Sequence, residues 1–157
     1  MKRKAMYLLT CILTVIMSIG CFVGCAGGAT KAKLEESTTA EQIVMSIEET
    51  DGKASAFDAL KSLRNQDAVS FDYTMSTYGA YITSINGKAE QVTTATANSS
   101  EGYSWMLYTS DTEYAYETPT ITVEGKTCGK ASMGSSSVIV KEGELYVWVY
   151  EHYSYNW

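Results

Sequence analysis

The run Tyr78-Gly79-Ala80-Tyr81-Ile82-Thr83-Ser84-Ile85-Asn86-Gly87 constrains the fold more than any other stretch of the chain. It reads as a strand that runs into a tight turn. Asn-Gly is the commonest dipeptide of two-residue hairpins, because both residues tolerate the positive φ that such a turn demands. Helix signals come before this strand and further strand signals after it.

Upstream, Ser55 to Arg64 is the one convincing helix. Ser55 stands at the N-cap position and Asp58 three residues later, as in a capping box. Ala56, Phe57, Leu60 and Leu63 fall at spacings of three and four and form one apolar stripe. Lys61 and Arg64 occupy the last turn, where positive charge suits the helix dipole. So short a helix cannot stand alone and must pack on a sheet. Before it, Ile43, Met45 and Ile47 alternate as in a half-buried strand, and Asp51-Gly52 reads as a turn.

Downstream, Val69–Tyr73, Tyr103–Thr109 and Thr120–Val123 are strand-like. Ala89–Ser100 reads as a loop or a poor edge strand, and Cys128–Ser136 as a small-residue loop. Ser137–Val140 and Leu145–Tyr150 flank Lys141-Glu142-Gly143-Glu144 and read as two strands joined by a turn. The aromatic tail Glu151–Trp157 extends the last strand or frays. One helix with six or seven strands predicts an α+β domain, with the helix packed on a mostly antiparallel sheet bearing additional hairpins.

The amino terminus carries a targeting signal. Lys2, Arg3 and Lys4 precede an apolar run over Ala5–Ile19, which is too short for a comfortable bilayer span. The run leads into Phe22-Val23-Gly24-Cys25. A small residue before a cysteine at this place resembles a bacterial lipobox, in which the thiol receives a diacylglycerol. Cys25 is the expected lipidated residue and Cys21 the weaker second choice. On this reading residues 1–24 are a lipoprotein signal peptide, and residues 25–40 are the lipidated cysteine with a flexible, polar tether. Residues 41–157 are then the domain. The two acyl chains of a diacylglycerol suffice for stable anchoring. The reading implies an extracytoplasmic protein, lipid-anchored at a bacterial cell surface.

Of four cysteines, only Cys128 then remains in the exported body, so no internal disulfide is expected. The formal charge of −6 becomes −9 once the three leader cations are removed. That acidity argues against nucleic acid and against a polybasic membrane patch.

The order of the Ser55–Leu63 helix, "YGAYITSING", "GYSWMLYTS", a glycine-rich loop and "VIVKEGELYVWVYE" resembles the transcobalamin-like C-terminal domain of small bacterial surface lipoproteins. The likeness covers roughly Ile43 to Tyr150. Phe57-Asp58-Ala59-Leu60, Gly79–Gly87, Trp105–Tyr108 and Gly143-Glu144 carry it. The resemblance implies a β-grasp-like fold, a sheet gripping one helix. In the vitamin B12 carriers of that family the domain closes over a corrinoid against an α/α barrel. This chain holds one small domain and no barrel, so the resemblance implies half a corrinoid site, with a second protein supplying the rest.

The exported body is rich in tyrosine and tryptophan, which offer large rigid contact area with a polar tip. Tyr78, Tyr81, Asn86, Tyr103 and Trp105 flank the turns around the organising strand and are the candidate ligand residues. On this reading Trp105→Ala abolishes binding and leaves the domain folded. The competing reading places alternate aromatics in the core. Asp111, Glu113 and Glu117 share a loop with Tyr114 and Tyr116 and are the candidate Ca²⁺ ligands, without EF-hand spacing. His152 is the only histidine, which argues against a zinc site and a Ser-His-Asp arrangement. No phosphate-binding glycine pattern is present. The sequence therefore reads as a non-enzymatic surface lipoprotein that binds a soluble ligand, a corrinoid or another nutrient. A module that binds an envelope protein or a glycan is the alternative, and a metal-ion-binding surface protein a further one.

Overall fold

The computed structural model describes residues 28–157. The leader, Cys21 and Cys25 lie outside the described residues. Ten strands and one helix follow in the order β1 (Thr30–Leu34), β2 (Gln42–Thr50), α1 (Ala56–Asn65), β3 (Phe71–Ser76), β4 (Gly79–Ile85), β5 (Lys88–Ala89), β6 (Gln91–Ala95), β7 (Ser99–Thr109), β8 (Ala115–Val123), β9 (Lys126–Ala131) and β10 (Leu145–Asn156). The larger sheet runs β1-β2-β10-β7-β9-β8, and the smaller one β3-β4-β5. Every strand pairing is antiparallel. β7 meets β10 along its whole length. Its other edge is shared, with β6 on the first half and β9 on Tyr108 and Thr109.

Alternation along the central strands sorts their side chains onto two faces. Ile43, Met45 and Ile47 of β2, Trp105 and Leu107 of β7, and Tyr146 and Trp148 of β10 point to one side. Phe57, Leu60 and Leu63 of α1 and Phe71, Ile82 and Ile85 of the smaller sheet meet them there. The intervening residues Val44, Tyr108, Leu145 and Val147 form a smaller cluster with Val123 and Cys128 on the opposite face. Burial pushes the Cys128 thiol up in pKa, despite nearby Lys126.

The helix forms as its sequence predicts. The Ser55 hydroxyl accepts the Asp58 amide at 3.2 Å, and Asp58 accepts the Ser55 amide at 2.9 Å. The Asn86-Gly87 turn also forms, with φ of +49° and +78°, and joins β4 to β5.

The expected fold class is corrected. The described residues are sheet-rich, 57% strand and 8% helix, in two sheets without a barrel, and are not the predicted α+β, β-grasp-like domain. Four segments contribute much of the extra strand, besides the earlier starts of β7 at Ser99 and β8 at Ala115. Residues 30–34, expected in the tether, form edge strand β1 on β2, and Ala32 there is 1% exposed. Their polar composition hides them, since an edge strand needs only one inward residue. Ala89–Ser100, expected as a loop or a poor edge strand, contains β6, which pairs with β7 alone and whose side chains are all exposed. β9 occupies the start of the expected loop over 128–136. β10 continues through the aromatic tail to Asn156.

The expected hairpin between Ser137–Val140 and Leu145–Tyr150 does not form. Val138 and Val140 are fully buried, but they bond to the approach to the helix: Ala56 N–H donates to the Val138 carbonyl, and Val140 N–H to the Ala54 carbonyl. β10 pairs with β2 and β7 instead. Among the described residues no helix is long and apolar enough to cross a membrane.

Candidate functional site

The two sheets part beside the first half of β4. A cleft of about 160 Å³ opens there between Ala80–Ile82 of β4 and Trp105–Leu107 of β7. Trp148 of β10 and the segment from Lys130 to Ser135 complete its walls.

The loop after β9 is stitched to the start of β4. Ala80 N–H donates to the Ser136 hydroxyl at 2.9 Å, and the Ser135 hydroxyl donates to the Ala80 carbonyl at 3.3 Å. Gly79 makes this approach possible. Its φ is +99°, and a Cβ there would stand 2.7 Å from the Ser136 Cβ. The same loop gives the Ser135 carbonyl to the Phe57 N–H at 3.1 Å, which ties it to the first turn of α1.

The aromatic walls are held from behind. The Trp105 indole N–H donates to the Lys88 carbonyl at 2.8 Å, and its ring lies 5.3 Å from Tyr150. The Tyr81 hydroxyl donates to Glu90 at 2.6 Å. Burial and the Glu90 carboxylate raise the Tyr81 pKa well above its usual value, so the phenol stays neutral. Trp148 is 3% exposed, and its indole N–H has no partner among the described residues.

Of the five candidate ligand residues, the cleft brings together Tyr81 and Trp105. Tyr103 sits two residues back along β7, stacked on Tyr150 at 5.8 Å, outside the lining. Tyr78 is 89% exposed in the β3–β4 turn, and its carbonyl lies against Gly134 of the loop. Asn86 has a structural part: its side-chain oxygen accepts the Ser70 N–H at 2.9 Å, bracing the hairpin. Trp105 is 3% exposed and belongs to the core, so Trp105→Ala removes core packing as well as a wall of the cleft. Trp148 and Met133 were missed. Trp148 carried a signal, because it alternates in phase with Tyr146; Met133 stood in a small-residue loop without one.

Two of the three candidate Ca²⁺ ligands, Asp111 and Glu113, are occupied by a cation of the protein's own. Lys141 Nζ stands 2.9 Å from Asp111 and 2.6 Å from Glu113. These carboxylates raise the Lys141 pKa, Glu113 leading. Asp111 also accepts the Glu113 N–H at 3.0 Å. Glu117 is exposed on β8. Among the described residues no group of three His, Cys, Asp or Glu could hold a metal ion. His152 pairs with Glu101 at 2.9 Å on the exposed half of the β7–β10 ribbon. Neither a protein-family model nor a curated protein matches this chain.

Proposed function

We propose that this chain is an extracytoplasmic lipoprotein, anchored through Cys25, whose cleft between β4 and β7 captures a ring-sized apolar group of a soluble ligand. The observation that carries the reading is the cleft itself: about 160 Å³, walled by Tyr81, Trp105, Trp148 and Met133. An apolar cavity of about 150 Å³ holds one benzene ring. A corrinoid is far larger than the cleft, so it would enter only through one peripheral group, with a partner protein covering the remainder.

A second reading draws on the distal β7–β10 ribbon. Beyond the core, Tyr103 and His152 lie on one face and Tyr153 and Tyr155 on the other. Aromatic side chains on both faces of a ribbon suit an envelope protein or a glycan.

The test is a thermal-shift titration of the Cys25→Ser form with indole, p-cresol and cyclohexanol. A ligand at about 100 times its Kd stabilises by roughly 2.7 kcal/mol. At a few degrees per kcal/mol, the midpoint rises by about 5–10 °C. Ala131→Leu, which fills the cleft wall, removes the shift and keeps the far-ultraviolet spectrum. Absence of a shift for all three compounds in the unsubstituted cleft overturns the reading.

A further inference from the structure

The chain is pinned from Gly28 onward. A Cβ on Gly28 would lie 2.2 Å from the Ala54 nitrogen, so the two backbones touch. Ala29 N–H donates to the Asp51 carboxylate at 2.9 Å, and Asp51 N–H to the Ala29 carbonyl at 3.0 Å. Only Ala26 and Gly27 separate Gly28 from Cys25. With Cα atoms 3.8 Å apart along the chain, Cys25 is therefore within about 11 Å of Gly28. A lipid on Cys25 holds this end of the domain at the headgroups, not tens of ångströms above them.

Two surfaces flank that end, and their charges differ. On the side of α1, a cleft of about 710 Å³ is lined by Lys31, Lys61 and Arg64, with Asp58 the one acid. Lys31 pairs with Glu48 at 2.7 Å and Lys61 with Asp58 at 2.6 Å. Arg64 makes no ion pair among the described residues; its guanidinium lies 4.4 Å from the Phe71 ring centre. On the other side, a cleft of about 410 Å³ collects Glu49, Asp51 and Glu142 around Lys31.

We propose that the domain lies down on its α1 side, with Lys61 and Arg64 against anionic phospholipid headgroups. This rests on Cys25 being the lipidated residue. The acidic side is repelled by the same surface, so the charge asymmetry selects one orientation. The attraction need not be strong. A short linker makes headgroup contact an intramolecular event, at an effective concentration on the order of millimolar. Guanidinium and ammonium groups are the donors that phosphate takes. The orientation leaves the opposite edge of the larger sheet farthest from the lipid. Five strand spacings of about 4.8 Å separate β1 from β8, which is roughly 24 Å.

The test uses the full chain, processed and lipidated in a bacterial host, in vesicles that carry a relaxation agent chelated at the headgroups. Spin labels are placed singly at Asn65→Cys, at the end of α1, and at Thr122→Cys, on β8. In phosphatidylglycerol-containing vesicles, relaxation at position 65 is expected to be several-fold stronger than at 122. In phosphatidylcholine alone, or with Lys61→Gln and Arg64→Gln together, the difference is expected to shrink to the part that the anchor beside Gly28 sets by itself, and an unchanged difference overturns the orientation. Equal relaxation at 65 and 122 in anionic vesicles, with the lipid mass present on the protein, overturns the orientation and leaves the anchor reading standing. A protein of unmodified mass overturns the anchor reading and the orientation with it.

Discussion

Trp105 shows how the role of a residue depends on where along a strand it sits. It shares β7 with Tyr103, and both were equal candidates for ligand contact. The pair of residues lies on one face, but Trp105 is over the core and Tyr103 is beyond its rim. Truncating a fully packed tryptophan costs about 3–5 kcal/mol. Trp105→Ala is therefore expected to lower the urea midpoint by that equivalent, and a midpoint within experimental error of the parent would place the ring outside the core. Gly79 carries a different constraint. Gly79→Ala forces a side chain to φ +99° and into Ser136 at 2.7 Å. Strain of this kind costs about 1–3 kcal/mol. The same substitution is expected to loosen the loop over the cleft, seen as faster hydrogen exchange at Ala80, whose amide bonds to Ser136.

At the scale of elements, α1 and β1 are stabilised by local devices with distinct signatures. The capping box of α1 predicts a loss of about 1 kcal/mol for Ser55→Ala in denaturant unfolding. Asp58 adds a pH dependence. Burial pushes its pKa up, but the Lys61 ammonium and the Ser55 bonds outweigh that and hold it below 3.8. The Ser46 hydroxyl lowers Glu35, and the Lys53 and Ala29 amides lower Asp51. A carboxylate with a depressed folded pKa contributes stability above its unfolded pKa and loses it as pH falls through the folded value. Stability is thus expected to hold down to about pH 4 and then to fall. A midpoint that stays flat to pH 2 contradicts these three shifts.

β1 offers a sharper contrast. Its one inward residue, Ala32, packs beside α1, and Gln66 Nε2 donates to its carbonyl at 3.0 Å. An unpaired charge buried at this position costs several kcal/mol. Ala32→Glu should therefore destabilise the domain well beyond the roughly 0.5 kcal/mol typical of a free surface position. Thermal unfolding decides between the two, because a flexible tether would not register the change.

For the whole molecule, the larger sheet is the common platform. One face receives α1 and the smaller sheet, and the other carries a second cluster. Neutral phenols are set into this body. Burial raises Tyr108, whose hydroxyl donates to Glu151 at 2.7 Å, and pushes Tyr146 up to about 12. Tyr81 is raised too. A raised folded pKa means that the stabilisation is whole below the unfolded value near pH 10 and is lost as pH rises through the folded values. Unfolding above pH 10, followed by tyrosinate absorbance, is expected to be one cooperative step. Titration of all tyrosines near pH 10 with the fold intact would contradict it.

Read alone, the sequence determined the local structure whose cause lies within a few residues. The capping box of Ser55 and Asp58, the stripe of Phe57, Leu60 and Leu63, and the Asn86-Gly87 turn all form as their spacing dictates. These signals are short-range, since caps, turns and helical periods are complete within one turn of chain. Only the tertiary structure decided which strands pair. Val138 and Val140 have strand-forming side chains, yet their backbone groups bond to residues 54 and 56, because the edges beside β10 are taken by β2 and β7. β1 and β6 form from polar residues because a neighbouring strand supplies their hydrogen bonds. The cleft was half legible: Tyr81 and Trp105 stood out as aromatics near a turn, whereas Trp148 and Met133 reach them from distant parts of the chain. Pairing and enclosure are non-local, and no window of sequence contains both partners.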